Sequence, residues 1–311
     1  APQAPECRPR TAPERRWQFL AEHHGAEDGY CPSSMVQAAS IFAVTQRLYV
    51  HLSALVVTMH DPLRLAEDLA VLVVVSTGRI WLTAGMGYRP HEFEMFGKDI
   101  SKRLGLMNKA LDVLRQAWSG EPFEYEGRTV RVTPRGVQPG GPKIYMGGST
   151  DKSAIRAAKG GYQYFPGHPG LWELYAEERA KLGFPPPEPL VKSIASFLYI
   201  TEDPERDWPR VAPHVAYATN TYAEWAAERG TGDTLYRVAE TVEALKAMPN
   251  IKVLTPDQCF DWLQTQPANA GINFHALLGG LDPDLSWASL LLFEKAVLPR
   301  LVEAGMVELN R

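Results

Sequence analysis

The chain has 311 residues, 45% of them hydrophobic and 22% charged, with a formal net charge of −4. That length accommodates one large domain or two small ones, and the composition is that of an ordinary globular protein. The slight acidity gives no basic field for nucleic acid, and without an apolar run of 18 residues no bilayer span is implied. Three scattered cysteines, Cys7, Cys31 and Cys259, lack CxxC spacing, which argues against a disulfide framework or a zinc knuckle. They read as reduced thiols of a cytoplasmic protein.

Residues 1–16 (APQAPECRPRTAPERR) carry Pro and Arg without apolar periodicity or the apolar stretch of a signal peptide, and read as an irregular or disordered arm. From Trp17 onward, short apolar runs alternate with helical patterns. Trp17 to Ala21 is a predicted strand ending at Glu22-His23-His24. Ser33 or Ser34 caps a predicted helix to about Thr45, and Leu48 to Val57 is a buried strand rich in β-branched residues. Asp61-Pro62 places a capping side chain before a proline that opens a helix, which Gly78 ends. Ile80 to Ala84 is the next strand, followed by the loop GMGYRPHEF and a helix from about Lys102 to Trp118.

Residues 123–133 read as a hairpin turning at Glu126-Gly127. Lys143 to Met146 is a strand that enters Gly147-Gly148-Ser149, with a helix from Thr150 to Lys159. Tyr162 to Phe165 and Leu190 to Ile200 are further strands, separated by a helix at 171–182. Residues 203–250 read as a mostly helical, Trp/Tyr-rich insertion. A helix from Thr255-Pro256, a last strand at Ile272 to Leu278 and a last helix at Ser286 to Ala304 complete the chain. Strands alternating with helices imply parallel pairing through crossover helices. Seven strands are expected besides the hairpin, one short of a closed eight-stranded barrel. A doubly wound open sheet is the alternative, although Gly85-Met86-Gly87 lacks the third glycine of a dinucleotide-binding turn.

Three strand ends could carry chemistry. At Glu22-His23-His24, successive side chains point to opposite faces, so one histidine can face a pocket and handle a proton while the other packs behind it. Two histidines satisfied by backbone carbonyls would read the same way. Gly147-Gly148-Ser149-Thr150 runs into a helix start, where backbone N–H groups and hydroxyls suit phosphate, or where Ser149 merely caps the helix. Ala84 to Glu92 could turn Tyr88, Arg89 and His91 toward the mouth, or be a solvated loop.

In their order, EHH with DGY (22–30), PLRLAEDLAVL (62–72), STGRI (76–80), GYRPHEFEMFG (88–97), GGSTDKSAIRAA (147–158), TPDQ (255–258) and FEKAVLPRL (293–301) resemble the bacterial luciferase-like flavin monooxygenases. The resemblance covers nearly everything from Trp17 onward. It implies a TIM-type (β/α)8 barrel over 17–311, here lacking or altered in its first β/α unit and carrying the late insertion. It also implies reduced FMN, supplied by a separate flavin reductase, and dioxygen used to oxygenate a small, largely apolar substrate. Alternatives on the same barrel are a hydride-transfer enzyme using the deazaflavin coenzyme, or a non-catalytic flavin-binding or partner subunit. Matched residue by residue, the resemblance puts the catalytic histidine at His23, with Glu22 beside it. It puts a non-proline cis peptide supporting the flavin at Ser53-Ala54. Flavin-edge and phosphate contacts fall on Gly85, Met86, Gly147, Gly148, Ser149 and Thr150. Met86 stands where luciferase has a phosphate-gripping arginine, which makes Arg103 the candidate for that charge. Dimerisation through helices near 34–45 and 62–75 is also implied.

Overall fold

The computed structural model describes residues 17–307 apart from 139, 169, 189–190, 229–236 and 268. The expected arm, with Cys7, lies outside the described residues. Two compact units form, one within residues 17–188 and one within residues 191–307.

The first unit holds β1 (Trp17–Leu20), α1 (Ser34–Val44), β2 (Tyr49–Val56), α2 (Pro62–Ser76), β3 (Ile80–Gly85), α3 (Pro90–Met95) and α4 (Arg103–Ala117). The hairpin β4 (Phe123–Tyr125) and β5 (Arg128–Val130) follows, then β6 (Lys143–Gly148), α5 (Asp151–Lys159), β7 (Gln163–Pro166) and α6 (Gly170–Lys181). β1, β2, β3, β6 and β7 form one parallel sheet in that order. The local signals act as the sequence predicts. The Asp61 carboxylate accepts from the Leu63 and Arg64 N–H groups with Pro62 in the first turn, and the hairpin reverses at Glu126 and Gly127, both at positive φ. Ser33 sits at the start of α1 without a side-chain cap bond.

Alternation gives the sheet two different faces. One face presents Val50, Leu52, Ile80, Leu82, Ala84 and Met146 to α1, α2, α4 and α5, and these residues are buried in the main apolar core. The other face carries Phe19, His51, Ser53, Trp81, Thr83, Tyr145, Gly147 and Phe165 at paired register positions. The register slips at Ala54, because Ser53 pairs with Thr83 and Leu55 with the very next residue, Ala84.

The second unit contains two short parallel pairs. β8 (Lys192–Ser193) pairs with β11 (Ala270–Gly271), and β9 (Phe197–Ile200) with β10 (Ile251–Leu254). α7 (Pro204–Ala227) and α8 (Val242–Lys246) lie between β9 and β10 in the chain; α9 (Pro256–Gln264), α10 (Pro283–Leu292) and α11 (Leu298–Glu303) follow. The expectations differ here in four respects. β10 was not expected: its four residues fall in the unassigned gap between the stretch 203–250 and the helix that starts at Thr255. Residues 203–250 are therefore the crossover between two parallel strands rather than an insertion, since β9 and β10 pair directly. The strand expected at 190–200 breaks into β8 and β9. No strand forms at Ile272 to Leu278: the strand is Ala270–Gly271, just before that stretch, and beyond it Asn273 bonds to His275 and Gly279 takes a left-handed turn against the His214 carbonyl.

Candidate active site

The loops after β1, β2 and β3 converge on two buried carboxylates. Glu22, 2% exposed, accepts from His24 Nε2 at 2.9 Å, His60 Nε2 at 2.8 Å and the Val56 N–H at 2.9 Å. Burial alone would push its carboxyl up. The bonds from His24, His60 and Val56, with the His60 charge, outweigh that and hold it down at about 2. Glu22 is thus a permanent anion that ties the end of β1 to the end of β2. His60 is the outermost member, its side chain 24% exposed. It lies on a cavity of about 370 Å³ that Lys98, Lys109 and Tyr125 also line.

The second carboxylate, Glu92 on α3, is 1% exposed. It accepts from His23 Nδ1 at 3.1 Å and from the His24 N–H at 3.2 Å, and the Arg89 guanidinium lies 3.7 Å away. A carboxylate only accepts, so His23 Nδ1 is the donor and the bond holds the ring in one orientation. The ring packs between Tyr30 at 5.7 Å and Tyr88 at 6.0 Å. The His23 and His24 side chains bond to different carboxylates, Glu92 and Glu22, in the loop that follows β1. Arg89 is buried beside Glu92, so the loop after β3 is part of the site rather than a solvated loop.

The ends of β2, β3 and β6 carry almost no side-chain bulk. The Ser53–Ala54 peptide is cis. A Cβ on Gly85 would sit 2.9 Å from that of Ala54, and one on Gly147 would sit 2.8 Å from the Thr83 methyl. Gly148 packs on Ser153 in the same way, and Ser153 forms a capping box with Thr150 at the start of α5. Tyr164 locks this turn, its hydroxyl 2.8 Å from the Gly148 carbonyl and 2.9 Å from Ser153 Oγ. Ser149 and Thr150 are exposed at the helix start.

The contacts therefore join Glu22 and His23 through their shared neighbour His24, and bring Gly85 against Ala54. Gly147 to Thr150 form a separate turn at the end of β6. Met86 is half-buried, its carbonyl accepting from the Thr58 hydroxyl. Arg103 opens α4 with no hydrogen bond or ion pair to the others among the described residues. Sequence reasoning missed Glu92 and His60. The signal for Glu92 was present in PHEF, a glutamate two residues after the proline that opens a short helix beside the candidate loop.

The profile of the luciferase-like monooxygenase family matches residues 18–273, and the chain belongs to that family. The alkanal monooxygenase alpha chain of the Kryptophanaron alfredi symbiont is 28% identical over 148 residues, 46% of this chain and 42% of that one. The chain spans less than half the length of the curated relatives it matches. Among solved structures, monooxygenase RslO1 from Streptomyces bottropensis superposes with a TM-score of 0.71 at 22% identity, covering 92% of this chain and 88% of that one. The oxygenating constituent of 3,6-diketocamphane monooxygenase from Pseudomonas putida, in complex with FMN, gives 0.66 at 17% over the same shares. These likenesses establish a luciferase-like α/β fold. No helix among the described residues is long and apolar enough to cross a membrane.

Proposed function

We propose that the chain is a flavin-dependent monooxygenase that uses reduced FMN and dioxygen to oxygenate a small, largely apolar organic molecule, with His23 handling the proton. The observation that carries this reading is the buried Glu92–His23 pair, which fixes the orientation of one imidazole beside strand ends nearly bare of side chains. That bareness suits a flat ring, and the exposed Ser149 and Thr150 at the start of α5 suit its phosphate. Reduced FMN, when bound, supplies the two electrons with which one oxygen atom of dioxygen enters the substrate and the other leaves as water. The protein's part is to orient the ring, limit water and hold a proton at His23 Nε2.

The same reading makes residues 17–311 one cytoplasmic barrel domain with an altered first β/α unit, fed by a separate reductase. It pairs two copies through α1 and α2, where Val36, Val44, Val71, Val74 and Val75 are exposed. Substitution of His23 by Ala is expected to remove turnover while sparing flavin binding, measured by titration with FMN and with the deazaflavin coenzyme side by side. Unchanged turnover would sink the role of His23, and preference for deazaflavin would move the enzyme to hydride transfer.

A further inference from the structure

The face of the five-stranded sheet turned away from the helices is aromatic. The His51 ring lies within 6.4 Å of five others: Phe165 at 5.2 Å, Phe19 and Tyr145 at 5.4 Å, Trp17 at 6.1 Å and Trp81 at 6.4 Å. With His51 itself on β2, every strand of the sheet contributes at least one ring, and β1 contributes two. Phe19 is 38% exposed and the other four are half-buried, in contrast to the closed apolar core behind the sheet. His51 itself is 3% exposed. Its Nε2 shares a hydrogen bond with the Thr83 hydroxyl at 2.8 Å, and its Nδ1 has no hydrogen-bond partner among the described residues. Nδ1 is not one of the described buried atoms left without a partner, so it meets solvent at this face and is open to a polar group of a ligand. Burial, and then the charge of Lys143, pull His51 down to about 4, so the ring is neutral near pH 7. Lys143 lies over the Trp81 and Tyr145 rings at 4.5 and 5.4 Å and is paired with Glu188, so the nearest cation is already matched.

We propose that this face is the substrate floor and that it takes a neutral, planar aromatic molecule carrying a hydroxyl or carbonyl group, which bonds His51 Nδ1. The inference rests on the monooxygenase reading. Ser53 is two residues beyond His51 on the same face, about 6.7 Å along the strand. That places the aromatic layer next to the end where the flavin is proposed to lie. Rings at these separations favour edge-to-face and offset contacts with another ring, which an aliphatic chain cannot reproduce. A neutral imidazole can accept from a phenol or donate to a carbonyl, and it offers no charge to hold an anion.

Isothermal titration of the full chain with 1-naphthol, naphthalene and decanal tests this. 1-Naphthol is expected to bind about tenfold tighter than naphthalene, the worth of one hydrogen bond, and tighter than decanal. His51→Leu is expected to erase the difference between 1-naphthol and naphthalene while keeping naphthalene binding. His51→Gln, which restores a polar atom, is expected to recover part of it. Circular dichroism establishes that the variants fold, and if the Leu variant does not, the Gln variant and the three-ligand comparison decide. Equal affinity for 1-naphthol and naphthalene, no change on substituting His51, or tighter binding of decanal overturns the proposal. Titration of the same samples with FMN separates the two readings. Naphthol discrimination without FMN binding leaves the aromatic floor standing and removes the flavin; FMN binding without discrimination does the reverse.

Discussion

At the scale of single residues, the site is organised by acceptors. Glu22 and Glu92 are among the most buried charged groups described, and each is matched by donors rather than left alone, as burial of a charge requires. Glu92 acts through His23 and is a positioning residue. Glu92→Ala is expected to lower kcat by about tenfold or more without weakening flavin affinity, and Glu92→Asp to recover part of the loss. A flavin titration beside steady-state kinetics checks this, and an undiminished kcat would remove the role. Two pH effects follow from the same neighbourhood. The Glu22 carboxyl is held at about 2 in the fold against an ordinary 4.5, so the stability it contributes is complete above pH 4.5. That contribution, on the order of 3 kcal/mol, is lost as pH falls toward 2. His51 is held neutral down to about 4 against an ordinary 6.5, so the unfolded chain takes up a proton first. Stability should therefore fall as pH drops from 6.5 to 4. Denaturant unfolding across these ranges reads both effects. Glu22→Gln should flatten the lower limb and His51→Gln the upper one.

At the scale of elements, the turn from β6 into α5 is tightly built. A methyl group at Gly148 would sit 2.3 Å from Ser153 Cβ, against the side chain that closes the capping box. Gly148→Ala is expected to lower stability by about 1 kcal/mol or more, the worth of a lost cap, with a matching fall in melting temperature. A melt like that of the parent chain would show that the turn adjusts freely. This turn was legible in the sequence because glycine, hydroxyl and helix start fall within four residues. α2 was legible too, from Asp61-Pro62 and its apolar spacing. The second unit was not. β10 has four residues and no turn signal of the hairpin type, and β11 has two, so neither shows a resolvable period of two. The site was half legible. Histidines at a strand end advertise themselves, whereas Glu92 and His60 become neighbours of Glu22 and His24 only through contacts between segments some 38 to 69 residues apart.

At the scale of the whole molecule, the exposed valines of α1 and α2 carry the proposed pairing of two copies. Val71→Lys with Val75→Lys is expected to convert a dimer to a monomer in sedimentation while leaving the thermal melt of the fold near that of the parent, because both side chains face solvent in the single chain. A parent chain already monomeric at micromolar concentration would remove the dimer. The sheet of the first unit has a different consequence, which lies in how such a protein can change. Its odd and even positions serve separate purposes: 50, 52, 80, 82 and 146 hold the helices, while 19, 51, 81, 145 and 165 face the other way. A laboratory library confined to the second set would vary that face while leaving the residues that pack the helices in place. Variation on one face and persistence of the packing on the other are then two uses of one period-two pattern.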